Sequence, residues 1–301
     1  MKIIVLGSSS ATPTKKRNCT SLLINFEGEN FLFDASEMVQ QQLIKAKTSA
    51  LKINKIFLTH FHADHFLGLP GLLYTMKLNE RKNPLNIYGP KGLKKLIQDL
   101  FNFVNFKPSF EINLNEISEG IFLKEKKYSV EAVKLNHSVE SIGYVFKEKD
   151  KEGEFNRKKA IALGVPVGPK FSELVAGKTI TANGKKIKPE QVIDFNKGRK
   201  GKKVSIIWDT QPNACYEKAI QESDLLFHEA TFLEKNKERA EETKHSTALG
   251  AAKTAKKTKC KKLCLIHFSA RLKEDKELLE EAKQEFKETF AAEDLMEINL
   301  K

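Results

Sequence analysis

The stretch Leu58-Thr59-His60-Phe61-His62-Ala63-Asp64-His65 constrains this chain more than any other. Four side chains able to bind a metal, His60, His62, Asp64 and His65, fall within six residues, and three of the chain's seven histidines are among them. The apolar, β-prone run Lys55-Ile56-Phe57-Leu58 in front of them reads as a buried strand. The cluster therefore begins where a strand ends, on a loop held by a rigid scaffold. In extended backbone, residues two apart point the same way. His60 and His62 can then grip one cation, while Asp64 and His65, past a bend, face a second. Imidazole nitrogens with a carboxylate suit Zn2+, with Mn2+ or Fe as competitors. A chance run of surface histidines is the bland alternative, and crowding of this density argues against it.

The rest of the chain alternates strands and helices, which suggests one α/β domain built from two halves. Strands are expected over 2–6, 20–25, 30–33, 85–88, 110–114, 121–123, 128–135, 141–146, 204–209, 224–227, 261–266 and 296–300. Helices are expected over 69–78, 93–103 and 274–290. A further helix opens after His245, with Ser246 or Thr247 as its cap. Three more metal-capable residues, His137, Asp209 and His267, also stand at strand ends, and ends along one sheet edge can converge on one site. The N-terminal run Met1–Gly7 reads as a first strand and not as a leader. No apolar run reaches the length of a membrane span, so no membrane partner is expected. Cys19, Cys215, Cys260 and Cys264 are scattered without a CxxC pair, as in a cytoplasmic protein with reduced thiols.

The 301 residues carry 52 basic and 39 acidic side chains, a net charge of +13. The excess is concentrated. Residues 147–203 hold sixteen Lys and Arg against seven Asp and Glu, nine of the thirteen net charges, together with seven glycines and three prolines. Such a segment is either a solvated, flexible insertion or a protruding arm that grips phosphates and gains affinity through counterion release.

HxHxDH at a strand end resembles the metallo-β-lactamase superfamily, and the tail Gly68-Leu69-Pro70-Gly71-Leu72-Leu73 narrows the resemblance to ribonuclease Z, the tRNA 3′-processing endonucleases. Further segments match in family order: Pro13, Lys15, Arg17 and Asn18 as PxKxRN; Asp34 to Gln40 as DxGExxQ; Asp209-Thr210; His228-Glu229-Ala230-Thr231-Phe232; His245-Ser246-Thr247; and His267 to Arg271. Two departures stand out. Ser36 replaces the usual glycine of the second segment, and Trp208 replaces the glycine before Asp209, which puts a bulky ring next to the metals.

The resemblance implies a four-layer αβ/βα sandwich spanning 1–301, with residues 147–203 as an inserted tRNA-binding exosite arm around Gly168-Pro169. It also implies two zinc ions per subunit, precursor tRNA as substrate and a homodimer, although nothing in the residues alone shows dimerisation. On this reading His60, His62 and His137 hold one zinc, Asp64, His65 and His267 the other, and Asp209 bridges them. A hydroxide shared by the two ions attacks phosphorus. Asp64 also orients or deprotonates that nucleophile, and His245, held by Glu229, protonates the departing 3′ oxygen. Asp34 either orients a ligand histidine or caps a helix. His228 is structural. Lys15, Arg17 and Asn18 sense the tRNA 3′ end, and Arg271 is a phosphate contact. Two rivals are a phosphodiesterase of the same fold acting on small substrates and a catalytically silent RNA-binding protein.

Overall fold

Strands from both sides of the basic insertion build two sheets. The computed structural model describes residues 1–272 and 275–301. The first half runs β1 (Lys2–Gly7), β2 (Ser21–Phe26), β3 (Glu29–Phe33), α1 (Val39–Lys45), β4 (Ile53–Phe57), α2 (Ala63–Phe66), α3 (Leu69–Leu78), β5 (Leu85–Gly89), α4 (Leu93–Phe103), β6 (Ile112–Glu116), β7 (Gly120–Lys124), β8 (Tyr128–Lys134) and β9 (Ile142–Glu148). The insertion holds β10 (Glu154–Phe155), α5 (Arg157–Ala162), α6 (Pro169–Val175), β11 (Ile180–Ala182), β12 (Lys185–Ile187) and β13 (Ile193–Asp194). The second half continues with β14 (Lys203–Ile207), α7 (Ala214–Ile220), β15 (Leu225–Glu229), α8 (Lys237–Thr243), α9 (Ala248–Lys257), β16 (Leu263–Ile266), α10 (Lys276–Glu285), β17 (Thr289–Ala291) and β18 (Glu297–Asn299).

Among the described residues, one seven-stranded sheet has the order β18-β1-β2-β3-β4-β5-β6 and the other the order β17-β16-β15-β14-β9-β8-β7. β3 to β6 are mutually parallel, as are β14 to β17. Parallel pairs need crossovers, and helices supply them. The two sheets meet through aromatic rings: Phe31 with Phe146 at 5.2 Å, Phe33 with Tyr144 at 5.7 Å and Phe57 with Tyr144 at 5.4 Å between centroids. The Tyr144 hydroxyl donates to the Leu58 carbonyl at 2.6 Å, so this buried polar atom is satisfied. Outside the first sheet, Val39 and Leu43 of α1, Leu69, Leu72, Leu73 and Met76 of α3, and Leu93 and Ile97 of α4 close over Leu23, Ile56 and Ile87. Outside the second, α9 buries Ala251, Ala252 and Ala255 and packs beside β15, β16 and α10. Small side chains let it sit close. The layers are helix, sheet, sheet, helix, the αβ/βα sandwich that the resemblance implied.

Two glycines are dictated by close approach. A Cβ on Gly7 would collide with the Cys19 carbonyl, and one on Gly68 with the Ser36 carbonyl. Ser36 is tolerated because its buried hydroxyl donates to that same Cys19 carbonyl at 2.9 Å.

Strand and helix expectations hold to within a few residues except near the C-terminus. The helix expected over 274–290 occupies Lys276–Glu285 and ends where Phe286 turns extended; its first expected residue, Glu274, lies outside the described residues. Thr289-Phe290-Ala291 form a strand instead, parallel to Leu263–Leu265. Residues with β-branched and aromatic side chains beside an open sheet edge pair with it. The expected cap resolves to Thr247, whose hydroxyl accepts from the Gly250 N–H at 3.0 Å.

The chain divides into two compact units, one of 1–125, 129–147 and 202–301 and one of 126–128 and 148–201. The second has its own core of Ala160, Val165, Leu174, Ile180, Ala182, Ile187 and Val192. Its β11–β12 hairpin turns on Asn183-Gly184, both at positive φ (48° and 72°), the pairing that two-residue hairpin turns favour. Glu148 takes both Arg199 guanidinium nitrogens at 2.8 and 2.7 Å. Arg157, Lys158, Lys159, Lys185, Lys186 and Lys188 are exposed.

Phe57 touches Phe31, Phe33, Tyr88, Phe122 and Tyr144. Phe57→Ala is expected to cost about 3–5 kcal/mol of stability, read from the shift in denaturant midpoint at unchanged slope.

Candidate metal centre

The site is built from strand ends. After β4 the chain passes through Leu58 to His62, is extended at His62 and turns into α2 at Ala63. His60 and His62 therefore project from the segment between β4 and α2, and Asp64 and His65 from the first turn of a helix. His137 follows β8, Asp209 follows β14, and His267 follows β16. Asp34, Asp209 and His267 adopt left-handed backbone (φ 56°, 56° and 63°). Asp and His tolerate this region better than most residues, at a cost of about 1–3 kcal/mol each that the surrounding packing must impose.

The seven residues expected to hold metal come together in two groups that share Asp209. Ligand atoms of His60, His62, His137 and Asp209 lie within 4.8 Å of one another, as do those of Asp64, His65 and His267. In the first group His60 Nε2 is 3.0 Å from His62 Nδ1 and 3.6 Å from Asp209 Oδ2, and His137 Nε2 is 3.2 Å from His62 Nδ1. In the second, His65 Nε2 is 3.3 Å from both Asp64 Oδ2 and Asp209 Oδ1, and His267 Nε2 is 3.1 Å from Asp209 Oδ1. One carboxylate oxygen of Asp209 thus faces each group. A tetrahedral zinc with bonds near 2.0–2.1 Å has donor atoms about 3.3 Å apart, so this spacing fits a divalent cation in each. His65 Nε2, His267 Nε2 and Asp209 Oδ1 are buried without a hydrogen-bond partner. Orphaned buried polar atoms are costly, and a cation would satisfy all three.

Electrostatics follow from burial. It pushes His60, His62 and His137 below the ordinary imidazole range, the neutral state a ligand needs. For His65 burial opposes protonation, but Asp209 and Asp34 outweigh it and hold the group well above that range; a cation would compete for the same charge. Asp64 is held well below the usual carboxylate range: burial works against the charge, and the neighbouring His267 and His65 imidazoles outweigh it. Its Oδ2 also accepts the Ala11 N–H at 2.8 Å.

Asp34 is not a helix cap. Its buried carboxylate accepts from Thr59 N at 2.7 Å, Thr59 Oγ1 at 2.8 Å, His65 Nδ1 at 2.7 Å and Trp208 Nε1 at 2.8 Å. It orients His65. The Trp208 ring is wholly buried and directed at this carboxylate. His228 is buried between the Tyr216 hydroxyl at 3.0 Å and the Glu229 carbonyl at 2.9 Å.

His245 Nδ1 faces the Glu229 carboxylate at 3.0 and 3.2 Å. Burial opposes its protonation, but Glu229 outweighs this and raises His245 to about 9. His245 also lies within ligand reach of Asp209 and His267.

The loop expected to meet RNA is tied down in part. The Arg17 guanidinium bonds Ser8, the Ala292 carbonyl and Asp275 at 2.6–2.8 Å and lies over the Phe268 ring. Asn18 bonds Asp294 through both nitrogens. Lys15 and Arg271 are exposed, and Lys15 and Arg17 line a 610 Å³ cavity. Gly168 (φ 141°) and Pro169 start α6 within the second compact unit. Sequence reasoning missed Thr59, Thr231 and the Trp208 N–H as partners of the site; a threonine beside a histidine carries no signal until its neighbours are known.

Fold and site together define a metallo-β-lactamase-fold hydrolase with a candidate two-cation centre. Similarities narrow this. Over 301 residues the chain is 41% identical to the ribonuclease Z of Methanosarcina acetivorans, covering 100% of this chain and 98% of the relative, and 42% identical to that of Nitrosopumilus maritimus, covering 100% of both. The structure is similar to the short form of human tRNase Z, with TM-score 0.72, 27% identity and 99% of each chain covered. It shares the fold of the Bacillus subtilis metallo-β-lactamase-fold protein YhfI, with TM-score 0.71, 17% identity and 99% and 98% coverage. Residues 1–149 match the family model of the anti-Pycsar protein Apyc1. The chain belongs to the ribonuclease Z family and is a hydrolase of that family. No described helix is long and apolar enough to cross a membrane.

Titration with Zn2+ or Mn2+ is expected to raise the melting temperature of metal-stripped protein. Asp209→Ala removes the carboxylate common to both groups and should abolish most of that rise in a thermal scan with and without the ion.

Proposed function

We propose that this chain is a zinc-dependent endoribonuclease that removes the 3′ trailer from precursor tRNA and leaves a 3′ hydroxyl on the tRNA. The observation that carries the reading is one carboxylate, Asp209, facing two groups of buried ligand atoms beside a Glu229-held histidine, in a chain of this family. His60, His62 and His137 would hold one zinc, Asp64, His65 and His267 the second, and Asp209 would join them. Bound there, two cations supply a water of lowered pKa and neutralise charge developing at phosphorus.

The protein's own groups do the rest. Asp64 stays ionised and is fixed by the Ala11 amide, so it can orient the attacking water. His245, anchored through Nδ1 and partly open to solvent, gives a proton from its other nitrogen to the departing 3′ oxygen. Lys15 and Arg271 would meet the RNA near the cut, while Asn18, held by Asp294 through both nitrogens, would fix the loop. Arg17, whose guanidinium is committed to Ser8, Ala292 and Asp275, would shape their loop. The exposed basic side chains of 147–203, around Gly168-Pro169, would add phosphate contacts and affinity. The chain would act as a homodimer, as the family resemblance implies. Free Cys19, Cys215, Cys260 and Cys264 suit a reducing, cytoplasmic compartment.

End-mapped cleavage of a 3′-extended precursor tRNA by zinc-loaded protein tests the substrate. A single cut next to the discriminator base supports the reading; no cut, with turnover of a small phosphodiester retained, moves the substrate elsewhere. Glu154 and Phe155 pair with Asp194 and Ile193, so excision of 155–195 leaves ends that a short linker can join. That variant is expected to lose tRNA cleavage and keep hydrolysis of a small phosphodiester.

His245→Ala should lower kcat about 10²- to 10⁴-fold. A general acid must be protonated, so the wild-type rate should fall as pH rises through about 9. Glu229→Gln removes the carboxylate that supports the proton, and the falling limb of the kcat–pH profile should move toward neutral pH.

A further inference from the structure

Two buried threonines stand in matching places in the two halves. Thr59 lies two residues past β4 and Thr231 two residues past β15. Thr59 Oγ1 is 2.8 Å from Asp34 Oδ2 and 3.0 Å from His60 Nδ1. Thr231 Oγ1 is 2.7 Å from Glu229 Oε2 and 3.0 Å from His267 Nδ1, with the His267 carbonyl also at 3.0 Å. A hydroxyl has one proton to give and two lone pairs to receive with. Against an ionised carboxylate that proton goes to the carboxylate, because charge-assisted bonds are the stronger. Each hydroxyl can then meet the nearby imidazole only by accepting Nδ1–H. His60 and His267 are left with bare Nε2 atoms, and these are the atoms that face the other ligands.

We infer that Thr59 and Thr231 are positioning residues of one design: each passes the polarity of a buried carboxylate to a metal-facing histidine and fixes it as the Nδ1–H tautomer before any ion arrives. The carboxylates also act directly on a second histidine each, Asp34 on His65 and Glu229 on His245. One acid therefore serves two imidazoles in each half, once by contact and once through a threonine. Through Thr231, the carboxylate that holds the proposed general acid also orients a ligand of the second ion. The inference rests on the two-ion reading of the site.

Two measurements test it. In metal-free wild-type protein, long-range ¹⁵N–¹H correlation of the histidine rings should show His60 and His267 as Nδ1–H tautomers; Nε2–H in either would overturn the relay for that residue without any variant. Zinc is then titrated against a chromophoric chelator, with the emission of Trp208, the chain's single tryptophan, followed in parallel. Thr231→Val should weaken one of the two ions about 10- to 100-fold while leaving the other near its wild-type affinity. Thr231→Ser, which keeps the hydroxyl, should restore it to within a few-fold. Thr59→Val and Thr59→Ser should repeat the pattern on the other ion. Native affinity in both valine variants, or serine variants as weak as the valines, would sink the relay. Wild-type protein that took up fewer than two ions would sink the two-ion reading instead.

Discussion

The buried carboxylate of Asp34 is the constraint on which the rest of the site depends. An isolated charge in such a place would cost many kcal/mol, and it survives only because four donors converge on it. Those donors come from distant parts of the chain: the Thr59 amide and hydroxyl after β4, His65 on α2, and Trp208 after β14. One anion therefore ties both halves of the fold to the ligand cluster. Breaking any one of these bonds leaves the others to carry a desolvated charge, which is why the arrangement holds its geometry.

Glu229 plays the corresponding part in the second half. It accepts the Thr210 and Ser246 amides and the Thr231 hydroxyl, and it pairs with His245. Both acids lie behind the imidazoles they serve, so the side chains facing the open cluster are already oriented. Little reorganisation is left for an arriving ion or substrate, which is what a preorganised site requires. The strain at Asp34, Asp209 and His267 belongs to the same arrangement. Left-handed backbone at a strand end aims a side chain across the sheet edge, and two packed sheets supply the force that keeps it there.

Two departures from the family pattern find physical accounts here. Trp208 replaces a glycine, yet its ring is turned into the core and its N–H serves Asp34. Ser36 replaces another, and its hydroxyl answers the Cys19 carbonyl. Neither replacement leaves a buried polar group of its own unsatisfied.

Much of this was legible in the chain itself. The density of His60, His62, Asp64 and His65 after an apolar strand pointed to a candidate metal site, and strand-end positions marked His137, Asp209 and His267 as further candidate ligands. Alternating strands and helices implied an α/β domain built from two halves, the family resemblance implied its layers, and the charge excess over 147–203 marked the insertion. The strand at 289–291 was not legible, because its identity depends on a sheet edge formed by β16, far from it in sequence. The same holds for the engaged guanidinium of Arg17, which reads as a free cation until Asp275 and Ala292 are brought beside it. The sequence by itself determined which side chains could bind a cation, since that is a property of residue type and of strand periodicity. Only the tertiary structure decided which of them could share an ion, which oxygen of Asp209 faces each group, and which hydroxyls, amides and indole satisfy the acids behind them. Those choices rest on distances between residues up to 203 positions apart, and no local pattern encodes such distances.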